Sequence, residues 1–554
     1  MSAAPPVVPT SRRTFLAQLG AVAAGSVGAP ALLLASRRQA DLVVRGGTVF
    51  DGTGAPGIEA DVAITAGRVT AVAPRLPGAG ARELDARGLA VAPGFVDLHS
   101  HADGTLWADP AAESVVRQGI TTVVVGQDGS SPAPGRYPTF PALFAAVDRL
   151  RPAVNVASMV GLGTVRGHVV GLADRPATPA ELRRMTALVE AALAGGACGA
   201  SSGLEYTPGA FASPTELIAL CRPLAGRGPA ARRLPYATHM RNEDDRLLDA
   251  VAEAIAVAEG AGCPLHVSHL KTQGPRNWPK LDQAFALVDA AAARGLDVTF
   301  DRYPYVAYWT GLTNLFPVWS RDGGTGAFLA RLTDPATAAR IRTEVLAKIE
   351  LLGGWDNVMV TSVAAAADRA VEGQRLGTYA AARGADPFDT AVGLLRRSRG
   401  DVGMVGFAMS EENLERILAH PRGMAASDGG AVARSGPARR GHPHPRSLGT
   451  FPRVLARYVR ERRALPLERA IHKMTLAPAA RVGLADRGRL ALGMAGDVVV
   501  FDPATVADRA TFAAPFRYPV GIEAVVVNGA IALLDGARQD ARSGTRTGRA
   551  LRPT

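Results

Sequence analysis

Cysteine is scarce. The 554 residues contain three, Cys198, Cys221 and Cys263. Their spacing fits neither a thiolate metal site nor a redox pair, and an odd number closes no disulfide framework, so each is expected as a buried free thiol. Lysine is scarcer still: of 62 basic residues only four are lysines. The arginines are scattered beside Ala, Gly and Pro, and no basic stripe is interleaved with aromatics. The net charge of +12 therefore does not point to nucleic acid as a partner. Low-complexity runs are absent, and beyond the N-terminus no apolar stretch is long enough to span a bilayer. What remains is a globular composition, 47% hydrophobic with 61 Gly and 39 Pro, in a chain long enough for two or three domains.

The N-terminus reads as a targeting segment. "SRRTFLAQLG" begins with Arg12 and Arg13 and leads into an Ala/Gly/Val/Leu stretch reaching about Ala35. Twin arginines before a moderately apolar region resemble a Tat export signal, which carries folded proteins to the periplasm or beyond. Residues 1–38 are accordingly set aside from the fold, and no stable membrane span is expected once they are removed.

Residues 41–93 look all-β: short apolar runs such as "DLVVRGGTVFDGTG" and "DVAITAGRVTAVAP" are divided by Gly, Asp and Pro turns. The last segment, 476–554, repeats that texture in "DVVVFDP" and "GIEAVVVNGAIALLDG". Two β segments flanking a long middle predict one small β-sandwich domain built from both chain ends. The middle, 94–475, alternates strand and helix. Candidate strands are "FVDLHSH", 121–126, 155–161, 199–206, 235–241, 264–270, 297–305 and 424–429. Eight of them separated by amphipathic helices, such as 245–260, predict an α/β chain with a (β/α)8 TIM-type barrel. The stretch 310–420 is too long for a barrel loop and is expected to be an insertion.

Barrel enzymes carry their chemistry at the C-terminal ends of the strands, and the polar exceptions fall there: His99, His101, Asp128, Glu205, His239, His269 and Asp428. His99 and His101, one residue apart in an extended segment, share a face. Two buried imidazoles side by side cost desolvation unless something binds them, and a metal ion is their commonest partner. A satisfied core histidine has no reason to prefer the same end of successive strands.

These residues resemble the amidohydrolase superfamily, whose hallmark is His-x-His ending the first barrel strand. More closely, "PGFVDLHSHAD", "GLEYTPG", "THMRNE", "VSHLK", "YPY", "SDG" and "HPRSLGTFPRVLARYVRE" are similar to N-acyl-D-amino-acid deacylases (D-aminoacylases), over roughly 41–554. The resemblance implies hydrolysis of an acyl amide to a carboxylate and a D-amino acid, with a small-molecule substrate and one or two divalent ions, zinc first. It departs at one place. Where the family has a zinc-binding cysteine after the second strand, "VVVGQDGSSPAP" puts Asp128. Glu205 ends the fourth strand, where related hydrolases place a carboxylated lysine or a glutamate between two metals. No lysine precedes Lys271, so a lysine bridge there is excluded. Asp128 or Glu205 could supply the bridge, Asp128 could instead be an ordinary turn residue, and Glu205 an outer or substrate contact.

The resemblance also implies roles. His99 and His101 would hold one ion with Asp428 near it, and His239 and His269 another. Asp428 would move the proton from water to the departing amine. Arg446, helped by Lys271 and Tyr303, would grip the substrate α-carboxylate. Arg241 and Glu243 are expected to pair with each other, and His442 and His444, between prolines, to be loop residues. A cyclic amidase of hydantoinase or dihydroorotase type and a D-amino-acid dipeptidase are the neighbouring alternatives; an inactive metal- or ligand-binding relative is the distant one. Replacing both Arg12 and Arg13 by Lys should strand the protein in the cytoplasm while purified activity stays intact. Unchanged export of that variant by the same route would contradict the Tat reading.

Overall fold

The computed structural model describes residues 39–226, 233–539 and 546–554; the export signal read in residues 1–38 lies outside them. Eight parallel strands form the barrel: Phe95–Asp97, Ile120–Val125, Asn155–Ser158 continued by Val160–Gly161, Ala200–Gly203, Tyr236–His239, Leu265–Val267, Val298–Arg302 and Gly423–Ala425. Each pairs in parallel with the next, and a parallel bridge between Ser100 and Gly429 joins the eighth strand back to the first. The strands form because their residues are β-branched or small and buried on both faces, as "ITTVVV" shows.

Alternation along these strands separates two cores. Phe95, Val123, Val125, Val156, Tyr236, Leu265, Val267, Val298 and Phe300 pack outward with the helices. Val96, Val124, Ala157, Ala237 and Met424 form the inner cluster, joined by Ala479, Val482 and Leu551. The same parity assigns His266, Thr299 and Asp301 to the barrel interior, polar residues where a packed barrel usually has aliphatics.

Both chain ends meet in one nine-stranded sheet that includes Leu42–Val49, Ile58–Thr65, Ala90–Pro93, Val498–Phe501 and Ile522–Val527, around a core of Leu42, Val62, Ile64, Val498 and Val526. Between the seventh and eighth barrel strands, Ala307–Gly311, Val402–Phe407 and Val358–Val363 form a separate antiparallel sheet. Helices Pro335–Leu352 and Pro387–Arg397 pack with it over Phe316, Phe328, Ile341 and Leu394. Among the described residues no helix is long and apolar enough to cross a membrane.

Asp497 fastens the sheet to the barrel. It is buried beside Arg487, whose guanidinium pairs with it; its side chain accepts from the Asn528 N–H at 2.6 Å and from Asn155 of the third strand at 3.3 Å. Its carbonyl accepts from Gly94, just before the first strand, at 2.9 Å. Asp497→Ala takes the nearer anion from a buried guanidinium, leaving Asp486 at 3.4 Å, and should cost about 3–5 kcal/mol in denaturant unfolding. A loss below about 1 kcal/mol, the range of an exposed pair, would show that this contact does not hold the two parts together.

Candidate metal centre and active site

The loop after the second strand is pressed into place backbone against backbone. A Cβ on Gly203 would stand 2.1 Å from the Asp128 carbonyl oxygen, and one on Gly129 2.7 Å from the Gly203 nitrogen. Ser201 clamps the loop from the fourth strand: its hydroxyl accepts from the Gly129 N–H at 3.0 Å and donates to the Gly126 carbonyl at 2.7 Å. The loop holds Asp128 at φ 50°, in the left-handed region that Asp tolerates better than most residues. Asp428 also has φ 50°, and His269 has φ 37°. Such conformations cost of order 1–3 kcal/mol each and persist only where the surroundings enforce them.

The result is a convergence on one carboxylate. Asp128 Oδ1 lies 3.5 Å from His99 Nε2; its Oδ2 lies 3.4 Å from His101 Nε2, 3.5 Å from His269 Nε2 and 3.9 Å from His239 Nδ1. Asp428 Oδ1 approaches His101 Nε2 at 3.1 Å and His99 Nε2 at 3.6 Å, while its N–H donates to the His99 carbonyl at 2.8 Å. Three overlapping sets of ligand atoms emerge among the described residues, each within 4.8 Å: His99, His101, Asp128 and Asp428; Asp128, His239 and His269; and Glu205, His239 and Glu243. Asp128 belongs to the first two.

The atoms at the centre lack ordinary partners. His99 Nε2 and Asp128 Oδ1 are buried without a hydrogen bond, and His239 Nδ1 faces His269 Nε2 at 3.0 Å. These are the donor types that bind zinc and other divalent ions. Electrostatics agrees. Burial opposes the charged forms of His99 and His101, yet Asp128 and Asp428 (with Asp301 for His99) overcome it. His99 is held well above its ordinary value and His101 is raised to about 9. Burial likewise works against the Asp128 carboxylate, and the His99 and His269 imidazoles reverse it, leaving Asp128 well below the usual range. The carboxylates thus demand positive charge here, which bound protons or a divalent cation can supply.

The second nitrogens of His99 and His269 are also engaged, while that of His239 is buried without a hydrogen bond. His99 Nδ1 meets Asp301 Oδ2 at 3.3 Å. His269 Nδ1 lies 3.1 Å from Glu243 Oε1 and 2.7 Å from Lys271 Nζ. His239 Nε2 lies 3.5 Å from Glu205 Oε2. Such outer contacts fix ring orientation and tautomer.

A cavity of about 360 Å³ opens over this centre. The barrel lines it with His101, Asp128, Glu205, His239, His269, Lys271, Tyr303 and Asp428, and the insertion adds Tyr308, Trp309, Thr310 and Asn314. Arg446, the first residue of helix Arg446–Arg453, reaches the same space. Its Nη1 is 2.8 Å from Asp428 Oδ2, and its guanidinium lies 4.7 Å from the Tyr303 ring centre. Every residue given a metal, catalytic or substrate role from the sequence therefore lines this cavity, except His99, which lies beneath it against Asp128.

One expectation changes and one gains a burial that the sequence did not show. Arg241 does not pair with Glu243: its guanidinium holds Glu253 at 2.8–3.1 Å and the carbonyls of Ala210 and Ala212, while Glu243 holds Lys271 at 2.6 Å and Gln273 at 2.8 Å. The chain leaves the fifth strand after His239, so nearness in sequence no longer puts those two side chains together. His444 does lie in the loop before helix Arg446–Arg453, as expected, but it is fully buried; its Nε2 donates to the Ala307 carbonyl at 3.0 Å and its Nδ1 accepts from the Arg446 N–H at 2.9 Å. Sequence reasoning also passed over Asp301, His266 and Gln273. The signal for the first was available: a charged residue of interior parity in "DVTFDR".

Comparison with known proteins follows the same line. A family model described as "Amidohydrolase family" matches residues 82–533. The N-acyl-D-glutamate deacylase of Alcaligenes xylosoxydans xylosoxydans is 38% identical, covering 88% of this chain and 93% of that protein. A crystal structure of N-acyl-D-glutamate deacylase from Bordetella bronchiseptica, complexed with zinc and a phosphonate mimic of the tetrahedral intermediate, superposes with TM-score 0.78 at 36% identity, over 93% of this chain and 100% of that one. A D-aminoacylase with a binuclear metal centre gives TM-score 0.77, also at 36% identity and with the same coverage.

Arg446 is buried, carries the charge and the planar fork that a substrate carboxylate fits, and simultaneously holds Asp428. Arg446→Ala should weaken binding of a carboxylate-bearing substrate by about 1.5–3 kcal/mol and, because Asp428 loses its partner, lower kcat as well. Steady-state kinetics check this: a change in neither KM nor kcat would remove Arg446 from the site's chemistry.

Proposed function

Since the chain belongs to the amidohydrolase family, we propose that it hydrolyses the acyl amide of N-acyl-D-amino acids, releasing a carboxylate and a D-amino acid, at a divalent metal centre whose shared ligand is Asp128. The observation that carries this reading is the convergence of four imidazole nitrogens on the one Asp128 carboxylate, 3.4–3.9 Å away, beneath a cavity that also presents Asp428 and Arg446. The D-amino-acid substrate class is supported by relatives more than a third identical over most of the chain. Four histidines and Asp428 in place speak against an inactive binding relative, which would not need a proton carrier.

His99 and His101 through Nε2, His269 through Nε2 and His239 through Nδ1 are the nitrogens placed to hold the metal, with Asp128 between the two pairs. A divalent ion there supplies Lewis acidity, which acidifies a water and polarises the scissile carbonyl. Zinc suits imidazole and carboxylate ligands; an aspartate in place of thiolate also admits harder ions such as manganese or iron. Glu205 is assigned as the outer partner of His239 Nε2, steadied by Asn314 Nδ2 at 3.2 Å.

The remaining steps belong to this chain's side chains. Asp428, within 3.6 Å of both His99 and His101, accepts the proton from the attacking water and returns it to the leaving amine. Arg446, with Lys271 and the unpartnered Tyr303 hydroxyl, binds the α-carboxylate and so sets which face of the α-carbon is presented. Trp309 and Tyr308 from the insertion wall the cavity and limit bulk water. Export by a twin-arginine route, supported by Arg12 and Arg13, completes the proposal and would let the metal be loaded before translocation.

A chiral panel of N-acyl-D- and N-acyl-L-amino acids, hydantoins and D-dipeptides tests the substrate class. Turnover confined to N-acyl-D-amino acids is expected; turnover of hydantoins or dipeptides alone would replace the reading. For the metal, Asp128→Asn keeps shape and removes charge, and should lower metal content and activity together by ~10–100-fold or more. Asp128→Cys should retain metal, shifted towards zinc. Full metal and full turnover in Asp128→Asn, with both lost in Glu205→Gln, would transfer the shared-ligand role to Glu205.

A further inference from the structure

Asp301 stands in the seventh barrel strand with both oxygens committed. Oδ1 accepts the backbone N–H of His269 at 2.8 Å. Oδ2 meets His266 Nε2 at 2.8 Å and His99 Nδ1 at 3.3 Å. All four residues are buried, and the donor logic closes. A backbone N–H on one oxygen and two ring nitrogens on the other surround the carboxylate with groups able to donate, and a carboxylate so placed acts as acceptor only. Both ring nitrogens facing it therefore carry protons. With its Nε2 proton directed at Asp301, His266 has Nδ1 free to accept from the Thr299 hydroxyl at 2.8 Å. His99 carries its fixed proton on Nδ1, and Nε2, the buried atom without a hydrogen bond beside Asp128 and Asp428, is the nitrogen left to yield to a cation.

We propose that Asp301 is a positioning residue of the metal centre, fixing which nitrogen of His99 faces the ion and pinning the left-handed backbone of His269, with His266 and Thr299 completing the support. One carboxylate thereby governs a ligand from each of the two sets that share Asp128. Its two duties use different oxygens, so they can be separated. The inference rests on the metal reading above, and it concerns Asp301's control of the ligands, not the identity of the ion.

Asp301→Asn is the decisive variant because shape and chemistry point in opposite directions. The carboxamide is nearly isosteric and its oxygen can still accept the His269 N–H. Its NH2, however, would face two N–H groups. Satisfying it requires His99 to turn a lone pair outward on Nδ1 and to carry its proton on Nε2, the metal-facing atom. Packing alone would make Asn the mild substitution and Ala the severe one; tautomer control makes Asn at least as damaging as Ala.

The measurement is calorimetric titration of chelator-stripped full-length protein with zinc, independent of any assay of turnover. Wild type should bind, Asp301→Asn should bind at least ~10-fold more weakly and no better than Asp301→Ala, and in a His99→Ala background Asp301→Asn should cost little further. Wild-type affinity in Asp301→Asn, a milder loss in Asn than in Ala, or an undiminished loss in the His99→Ala background would each overturn the inference. Absence of zinc binding by wild type would instead overturn the metal reading on which it rests. Thermal melts identify any variant that has not folded. Should Asp301→Asn be one, His266→Phe removes one of the two donors that anchor Oδ2 while filling its space: weaker zinc binding supports the inference, and unchanged binding overturns it.

Discussion

Everything at the mouth of this barrel depends on how the Asp128 carboxylate is compensated. Two carboxylates, Asp128 and Asp428, and four imidazoles share a water-poor volume, and the carboxylates stay ionised only if positive charge sits among them. That requirement explains the left-handed backbone at Asp128, His269 and Asp428: each is turned inward at a conformational cost that a looser site would shed. It also explains the glycine contacts behind the loop. With any side chain at Gly203, the Asp128 backbone could not approach as it does.

The barrel meets the demand in two concentric rings. The inner ring is the set of ring nitrogens facing Asp128. The outer ring occupies the other nitrogens of His99 and His269 through Asp301 and through Glu243 with Lys271, and brings Glu205 to 3.5 Å from that of His239. His101 lacks such a partner and is the most exposed of the four, opening towards the cavity. Arg446 ties the two functions of the site together, since the guanidinium suited to the substrate carboxylate is the same one that holds Asp428. Under the proposed roles, substrate recognition and proton transfer would be neighbours, and the insertion adds Trp309 and Tyr308 to the cavity wall.

How much of this could be read in the sequence follows from the physics of each element. Strands buried on both faces betray themselves as short β-branched runs, so the barrel and its eight strand ends were legible, and with them the four histidines, Asp128, Glu205 and Asp428. The small sheet was legible from the matching texture of the two chain ends. How closely Asp128 approaches the histidines was not, because the path of its loop is set by Gly203 and Ser201 on another strand. Arg241 escaped for a related reason: its partner Glu253 lies on the helix Leu247–Ala261, and only the folded chain brings it back. Pro-flanked His444 has a loop's sequence but a core residue's environment, since both its ring nitrogens find backbone partners. Asp301 carried a parity signal that could have marked it, though not the identity of the three groups it binds.

The account turns on Asp128 as the ligand common to both halves of the centre, and locating bound ions by anomalous scattering in zinc-loaded crystals tests it most directly. The account predicts density with Asp128 oxygens at about 2.0–2.2 Å, in contact with at least one of the pairs His99/His101 and His239/His269. Density held by Glu205, Glu243 and His239 Nε2, with Asp128 uncoordinated, would contradict it.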